Sequence, residues 1–156
     1  LQYQQDGKPV IFLDGPAGTQ QPECVINAIA NHMRTYNGVA GAPFAPGKSA
    51  GEMVEASRAK MADFYNANSP EEIVFGPNMT TLTLGVSRAL ARTWEAGDEI
   101  IITRLDHEGN ISPWLLAAED RGVTVRWLDL DPATGMMQLE MLDELLSEKT
   151  KLVACN

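Results

Sequence analysis

The chain has 156 residues, of which 44% are hydrophobic and 21% are charged, and its formal net charge is −9. Its length is sufficient for one domain with a hydrophobic core. The acidic charge argues against a nucleic-acid-binding protein, which needs clusters of lysine and arginine, and against binding to anionic membrane surfaces. No apolar run approaches the ~20 residues needed to cross a bilayer. We therefore expect a cytoplasmic protein that binds neither nucleic acid nor membranes.

The first 36 residues predict one strand and one helix. The run "VIFLDG" has a strand composition and is stopped by Gly15 and Pro16. Pro22 suits the first turn of a helix over residues 22–36. Four apolar residues then recur on one face of that helix, as expected for an amphipathic helix: Val25, Ile26, Ile29 and Met33.

A loop and a longer helix follow. Residues 37–47, "NGVAGAPFAPG", have the glycine and proline content of a loop. Ser49 with Glu52 three positions later predicts a capping box at the start of a helix that ends at Tyr65. The composition therefore divides the chain into an N-terminal segment and loop, residues 1–47, and a main domain, residues 48–156.

From residue 70 onward, strand and helix patterns alternate. This order predicts an α/β fold in which parallel strands are joined by right-handed crossovers and helices cover the sheet. In such sheets, ligands bind beyond the carboxyl ends of the strands. The predicted strands are residues 73–75, 99–103, 123–130 and 151–156, and the predicted helices are residues 78–94, 110–122 and 139–149.

The stretch "GPNMTT" follows the first of these strands. Gly76 and Pro77 break the strand, and Asn78 can cap the next helix. The free N–H groups of that helix terminus and the hydroxyls of Thr80 and Thr81 are suitable for a phosphate. A plain helix cap is the alternative, and the spacing alone favours it. The motifs GxxxxGK and GxGxxG of nucleotide sites are absent from the sequence.

The stretch "LDHEGN" follows the next strand. His107 can stack on a flat ring or transfer a proton; the alternative is an exposed loop histidine paired with Asp106 or Glu108. Because this loop and "GPNMTT" follow successive strands, we expect both at one edge of the sheet. Together they predict a site for a phosphorylated aromatic ligand.

The remaining polar features carry weaker hypotheses. His32 lies within a helical pattern and is interpreted as structural. Cys24, at a helix start, is either a reactive thiol or a small buried residue, and we favour burial. Cys155 is expected to be inert in a core strand. The two cysteines show neither metal-ligand spacing nor a disulfide framework, so no metal site is predicted.

These motifs together resemble the class V aminotransferase superfamily of fold type I pyridoxal-phosphate (PLP) enzymes, and within it the cysteine desulfurase-like group. The most specific stretch, "GDEIIITRLDHEGNISPW", resembles the family's strand, acid, histidine, variable residue, small residue, asparagine and Pro-Trp pair. "RAKMADFYNANSPEEIVFGPNMTTLTLGVSRAL" is similar to the family's helix, turn, strand and phosphate loop. The resemblance implies a three-layer α/β/α large domain with a mostly parallel sheet. Residues 48–156 would form its N-terminal part, so that the domain is incomplete in this chain.

The resemblance also implies roles for individual residues. His107 would stack on the pyridine ring of PLP. The backbone of Met79 and the backbone and hydroxyl of Thr80 would hold the phosphate, with Asn78 and Thr81 as weaker contacts. Met79 stands where many family members have threonine.

The activity implied by the resemblance is that of a homodimeric enzyme acting on a small amino acid, with C–S bond cleavage through an aldimine. In the family, the Schiff-base lysine, the aspartate that pairs with the pyridine nitrogen and the mobile cysteine lie beyond Asn156. We therefore expect an N-terminal fragment that is inactive alone. Residues 37–49 lack the histidines that many desulfurases carry there. A class V aminotransferase, an epimerase, a lyase and a non-catalytic protein of the same fold are the alternatives.

Overall fold

The computed structural model describes residues 3–35 and 37–155. The chain divides into two compact units, Leu1–Val74 and Phe75–Asn156. The predicted division of the chain at residue 47 stays a prediction. No helix in the described part of the chain is long and apolar enough to span a membrane.

The first unit begins with a small hairpin and continues as helices. Strands β1 (Gln4–Gln5) and β2 (Lys8–Pro9) pair antiparallel. Asp6 and Gly7 between them both have positive φ, 52° and 73°, as the two-residue turn of a tight hairpin requires. Three helices follow: α1 (Gly15–Gly18), α2 (Glu23–Thr35) and α3 (Ala45–Tyr65), with a short 3₁₀ helix at Pro70–Glu72.

Two predictions for this unit are wrong. Residues 10–14 form no strand, and Leu13 is 90% exposed. A strand needs a neighbour for its backbone N–H and C=O groups. Of the N–H groups in this run, only that of Val10 has such a partner among the described residues, the Tyr3 carbonyl at 3.4 Å. Helix α3 begins at Ala45, with Phe44 at the N-cap. Pro46 suits its first turn, so Ser49 lies inside the helix and the predicted capping box does not form.

The second unit contains a three-stranded sheet in the order β4-β3-β5. Strand β3 (Glu99–Thr103) lies between β4 (Thr124–Leu128) and β5 (Thr150–Ala154), and both pairings are parallel. The side chains of Ile100, Ile101 and Ile102 are fully buried, as expected for a strand covered on both faces. The predicted α/β fold with a parallel sheet is confirmed.

The helices of this unit match the sequence pattern in part. Helix α4 (Met79–Leu90) continues into a 3₁₀ turn, and α5 (Ser112–Arg121) ends at Gly122, which has a left-handed backbone with φ 67°. Both ends agree with the predictions. Helix α6 is only Leu142–Leu145, after a 3₁₀ turn. It is shorter than predicted because Ser147 is bonded to Thr150 and Glu99 and the chain turns there into β5.

The predictions for residues 73–75, Cys24 and Cys155 do not match the structure. Residues 73–75 are not assigned to a strand, although Ile73 has an extended backbone, and none of the described residues pairs with them. Cys24 and Cys155 are both exposed, since Cys24 is the second residue of a helix without buried residues and β5 ends one residue before Cys155. Tyr36 and Asn156, at the ends of a predicted helix and strand, lie outside the described residues.

Candidate functional site

The amino terminus of α4 forms the first half of the candidate site. Asn78 has an extended backbone, and its side-chain oxygen accepts a hydrogen bond from the Thr81 N–H at 2.9 Å. The predicted cap is therefore present. The N–H groups of Met79 and Thr80 open the helix, where no carbonyl one turn earlier can accept them. These two groups and the Thr80 hydroxyl are the donors that the helix terminus offers to an anion, together with the positive end of its dipole.

The second half of the site is the loop that leaves the carboxyl end of β3. The Asp106 carboxylate accepts the backbone N–H of His107 at 2.6 Å. Its other oxygen accepts the amide of Asn110 at 2.8 Å and the hydroxyl of Thr103 at 3.3 Å. Because Thr103 belongs to the buried strand, the acid fixes the loop to the sheet.

Asn110 connects the same loop to the hydrophobic core. Its side-chain oxygen accepts the indole N–H of Trp114 at 3.0 Å. Trp114 is buried in α5 and lies 6.5 Å, centroid to centroid, from the buried Trp94. The sequence pattern of acid, histidine, small residue, asparagine and Pro-Trp is thus one hydrogen-bonded unit that runs from the core to His107.

The imidazole of His107 has a defined orientation. His107 caps the 3₁₀ helix Glu108–Asn110, and its Nδ1 accepts the Gly109 N–H at 2.9 Å. A neutral ring that accepts at Nδ1 carries its proton on Nε2. The side chain is exposed, so a face of the ring is accessible to a planar ligand.

Gly109 is the point where the two halves meet. A Cβ on this residue would lie 2.7 Å from the Thr80 hydroxyl, 3.0 Å from His107 Nδ1 and 3.1 Å from the Met79 methyl. Thr80, His107 and Gly109 also line one cavity of about 390 Å³. The predicted convergence of the two loops therefore occurs, although no regular strand precedes the first of them.

The cavity has polar and apolar walls. Four polar side chains line it, those of Thr80, His107, Glu108 and Ser112, and the Ser112 hydroxyl donates to the Glu108 carboxylate. Leu84, Pro113 and Leu116 contribute apolar surface from α4 and α5. This combination fits a planar ring that carries a phosphate, because the ring needs a stacking partner and an apolar wall while the phosphate needs donors. Asn78 and Thr81 bond to each other, which leaves them fewer free groups for a ligand.

Sequence reasoning missed Gly109, Asn110 and Trp114 as parts of the site. Their signal was the Gly-Asn pair two and three residues after His107 and a tryptophan four residues beyond the asparagine, one helical turn away. Arg104 does not line the cavity; its guanidinium lies 4.5 Å from the ring centroid of Trp127 and pairs with Asp129. This group lies at the carboxyl ends of β3 and β4, the same edge of the sheet as His107.

The carboxyl group of Glu99 lies at the opposite edge, where β3 begins. Ser147 donates to one of its oxygens at 2.7 Å and Arg126 donates to the other at 2.9 Å. These hydrogen bonds, that from Ser147 first, hold the pKa of Glu99 below its ordinary value. The network joins all three strands and is structural.

The chain matches the model of a known protein family. The model of the aminotransferase class-V family matches residues 11–156. The chain belongs to this family, as the motifs around Thr80 and His107 predicted.

Particular relatives are cysteine desulfurases. A probable cysteine desulfurase of Halalkalibacterium halodurans is 36% identical over 156 residues, which cover 99% of this chain and 38% of that protein. The apo structure of a cysteine desulfurase from Thermococcus onnurineus is 27% identical with a TM-score of 0.85, over 92% of this chain and 36% of that one. A C-DES mutant with glycine covalently linked to its PLP cofactor has a TM-score of 0.63 at 24% identity over 85% of this chain and 34% of that one; this likeness shows the fold alone.

The chain therefore spans less than two fifths of the length of the curated relatives it matches, 38% for the Halalkalibacterium protein. The predicted resemblance to cysteine desulfurase-like proteins is confirmed at this coverage.

Proposed function

We propose that the protein containing this chain is a PLP-dependent enzyme that acts on an amino acid, with cysteine as substrate and cleavage of its C–S bond as the reaction. The observation that carries the proposal is the meeting of the Thr80 hydroxyl and the His107 imidazole about Gly109. Membership of the class V family and the similarity to cysteine desulfurases support it.

The described residues would hold the cofactor at two ends. The N–H groups of Met79 and Thr80 and the Thr80 hydroxyl would bind its phosphate, with Asn78 and Thr81 as weaker contacts. His107 would stack on its ring. When bound, PLP supplies an electron sink for bond changes in the substrate.

Separate hydrogen bonds hold the backbone and the imidazole of His107. Asp106 accepts the His107 N–H and Gly109 donates to Nδ1, so backbone and ring are both fixed before a ligand arrives. A preorganised stacking face avoids the ordering cost that a mobile histidine would add to binding. The apolar wall of Leu84, Pro113 and Leu116 would shield one side of a bound ring from water.

The lysine that would join the cofactor is expected elsewhere in the protein. Lys149 and Lys151 of the second unit lie at the amino end of β5, and Lys151 pairs with Asp98 at 3.5 Å just before β3. They are therefore at the edge of the sheet opposite His107. We propose that these 156 residues alone are inactive, because covalent catalysis needs a lysine at the ring.

The test uses the longer protein that contains this chain, purified with PLP. The proposal expects a visible absorption band of the bound cofactor and formation of alanine from cysteine, with a thiol reductant present to accept the sulfur. Replacement of His107 with alanine is expected to weaken the band. A protein that shows no band after saturation with PLP is not a PLP enzyme.

A second candidate function keeps the cofactor and changes the reaction. The absence of histidine from residues 37–49 and the methionine at position 79 favour testing an aminotransferase, an epimerase or a lyase. Such an enzyme would show the band and convert another amino acid, to a keto acid, to its enantiomer or to an elimination product. A homodimer and a cytoplasmic location complete the proposal, and sedimentation and cell fractionation test them.

A further inference from the structure

We propose that Gly109 is a positioning residue that sets the His107 ring and the Thr80 hydroxyl relative to each other. The inference rests on the proposed function, since both groups are assigned there to the cofactor. Gly109 itself is buried and would touch the cofactor with neither a side chain nor its N–H, which is bonded to His107.

The first contribution of Gly109 is its N–H group. It donates to His107 Nδ1 at 2.9 Å, and this bond selects the tautomer with the proton on Nε2. It also fixes the ring about its Cβ–Cγ bond, a torsion that is otherwise broad for histidine. The plane available for stacking is therefore set by the backbone of residue 109.

The second contribution is the absence of a Cβ. The space a Cβ would occupy lies 2.7 Å from the Thr80 hydroxyl oxygen and 3.0 Å from His107 Nδ1. The 2.7 Å separation is shorter than non-bonded carbon and oxygen atoms adopt. Glycine thus allows the first turn of α4 and the 3₁₀ turn after His107 to approach until their polar groups share one cavity.

An added methyl group has few ways to be accommodated. The Met79 methyl, at 3.1 Å, ends a flexible side chain and can move away. Thr80 is β-branched, so rotation of its hydroxyl about χ1 requires its methyl group to move as well. A shift of His107 would lengthen the Gly109 N–H···Nδ1 bond. Either adjustment displaces a group assigned to the cofactor.

Serine at position 80 provides the matched rescue. It keeps the hydroxyl and lacks the methyl, so its oxygen can rotate away from an added Cβ. Gly85 provides the control for a Gly→Ala change as such. It lies in α4 with nothing within 4 Å of its Cβ position, and alanine is the better helix former.

The experiment compares five forms of the longer protein: wild type, Gly109→Ala, Thr80→Ser, the double variant and Gly85→Ala. Two quantities are measured on each, the ¹⁵N resonances of the His107 ring without PLP, assigned with His107→Asn, and the Kd for PLP. Gly109→Ala is expected to move the Nδ1 resonance away from its hydrogen-bonded position and to raise Kd by about tenfold, the cost of one off-rotamer side chain. The double variant should recover part of both changes, and Gly85→Ala should change neither.

An unchanged His107 resonance together with an unchanged Kd in Gly109→Ala would overturn the inference. A double variant no better than Gly109→Ala would overturn it too, because the two positions would then act independently. Failure of the proposed function has a different signature. In that case wild type itself does not bind PLP, whereas the His107 resonance still reports whether Gly109 orients the ring.

Discussion

The indole N–H of Trp114 donates to the side-chain oxygen of Asn110 at 3.0 Å and thereby ties the His107 loop to the hydrophobic core. Trp114 is buried beside Trp94, and Asn110 bonds in turn to Asp106, which accepts the His107 N–H. The orientation of the exposed His107 ring thus depends on the buried indole of Trp114.

Replacing Trp114 with phenylalanine tests this link. The ring still fills the core, but the Asn110 oxygen loses its donor, so we expect a stability loss of about 1 kcal/mol plus a cavity cost. The Kd for PLP of the longer protein should rise with it. Trp94→Phe is the matched control: it makes a similar cavity without a bond to the loop, and should lower the unfolding free energy while leaving Kd unchanged. If the two variants bind PLP with the same Kd, Asn110 and Trp114 do not hold His107 in its binding orientation.

Replacing His107 separates stacking from hydrogen bonding. His107→Ala removes the ring and is expected to weaken cofactor retention and turnover in the longer protein. His107→Phe keeps an aromatic face but cannot accept the Gly109 N–H, so it should retain part of the PLP affinity. The absorption spectrum of the bound cofactor measures the PLP retained by each of the two variants. If His107→Ala leaves spectrum and turnover unchanged, the histidine is a loop residue without a role at the cofactor.

The hydroxyls of Thr80 and Thr81 are predicted to contribute unequally. Thr80→Val keeps the shape and removes a hydroxyl that lines the cavity, so the loss of one bond to a charged phosphate should cost about 1.5–3 kcal/mol, or roughly 10- to 100-fold in Kd. Thr81→Val is the control, because it removes the same hydroxyl from a residue that is not among those lining the cavity. Inorganic phosphate as a competitor of PLP reports on this end of the site alone. A larger rise in Kd for Thr81→Val than for Thr80→Val would show that Thr81 supplies the main hydroxyl contact with the phosphate.

The pKa of Glu99 predicts a pH dependence of stability. Hydrogen bonds from Ser147 and Arg126 lower this pKa in the folded protein below its ordinary value of 4.5. A depressed pKa contributes stability above the unfolded value, and that stability is lost as pH falls through the folded value. The unfolding free energy measured with urea should therefore fall as the pH drops below about 4.5, and Glu99→Gln should reduce the slope of that fall. Ser147→Ala should reduce it by a smaller amount.

Asp131 also contributes to the acid dependence of stability and has to be controlled for. The N–H of Ala133 and the hydroxyl of Thr134 also lower its pKa, so it contributes in the same direction. Asp131→Asn in the Glu99→Gln background distinguishes the two carboxyl groups. An unchanged acid slope in Glu99→Gln would show that the Ser147 network does not persist in solution.

Arg121 is predicted to stabilise the end of α4. Its Nε and terminal nitrogen donate to the carbonyls of Ala91 and Arg92 at 2.7 and 3.0 Å, where the helix exposes acceptors and the negative end of its dipole. Arg121→Met should lower the unfolding free energy by about 1–2 kcal/mol. Arg88→Met, which breaks only an exposed pair with Asp120, should stay within about 0.5 kcal/mol. Similar urea midpoints for both variants would contradict the role of Arg121.

Sequence patterns predicted the features whose cause is local, and they also predicted two strands that do not form. Asn78 caps α4 and Gly122 ends α5, because each needs only its own backbone groups. Residues 10–14 and 73–75 have strand composition, but a strand also needs a pairing partner, which composition does not encode.

The same distinction applies to the site. His107 and Thr80 follow from the order of the elements and from the family motif. Gly109 does not, because its importance lies in the distance between two side chains on different elements, and that distance depends on how α4 packs on the loop after β3.

The ion pair between Arg104 and Asp129 joins two loops that leave adjacent strands. Arg104 stands three residues before His107, and Asp129 directly follows β4 in the segment that turns back at Met137. A substitution in residues 129–137 therefore acts on a segment bonded to the His107 loop, although it is distant in sequence from every residue assigned to the cofactor. Under the proposed function, variation in that turn would alter a segment bonded to the His107 loop while the residues proposed to bind the cofactor stay the same.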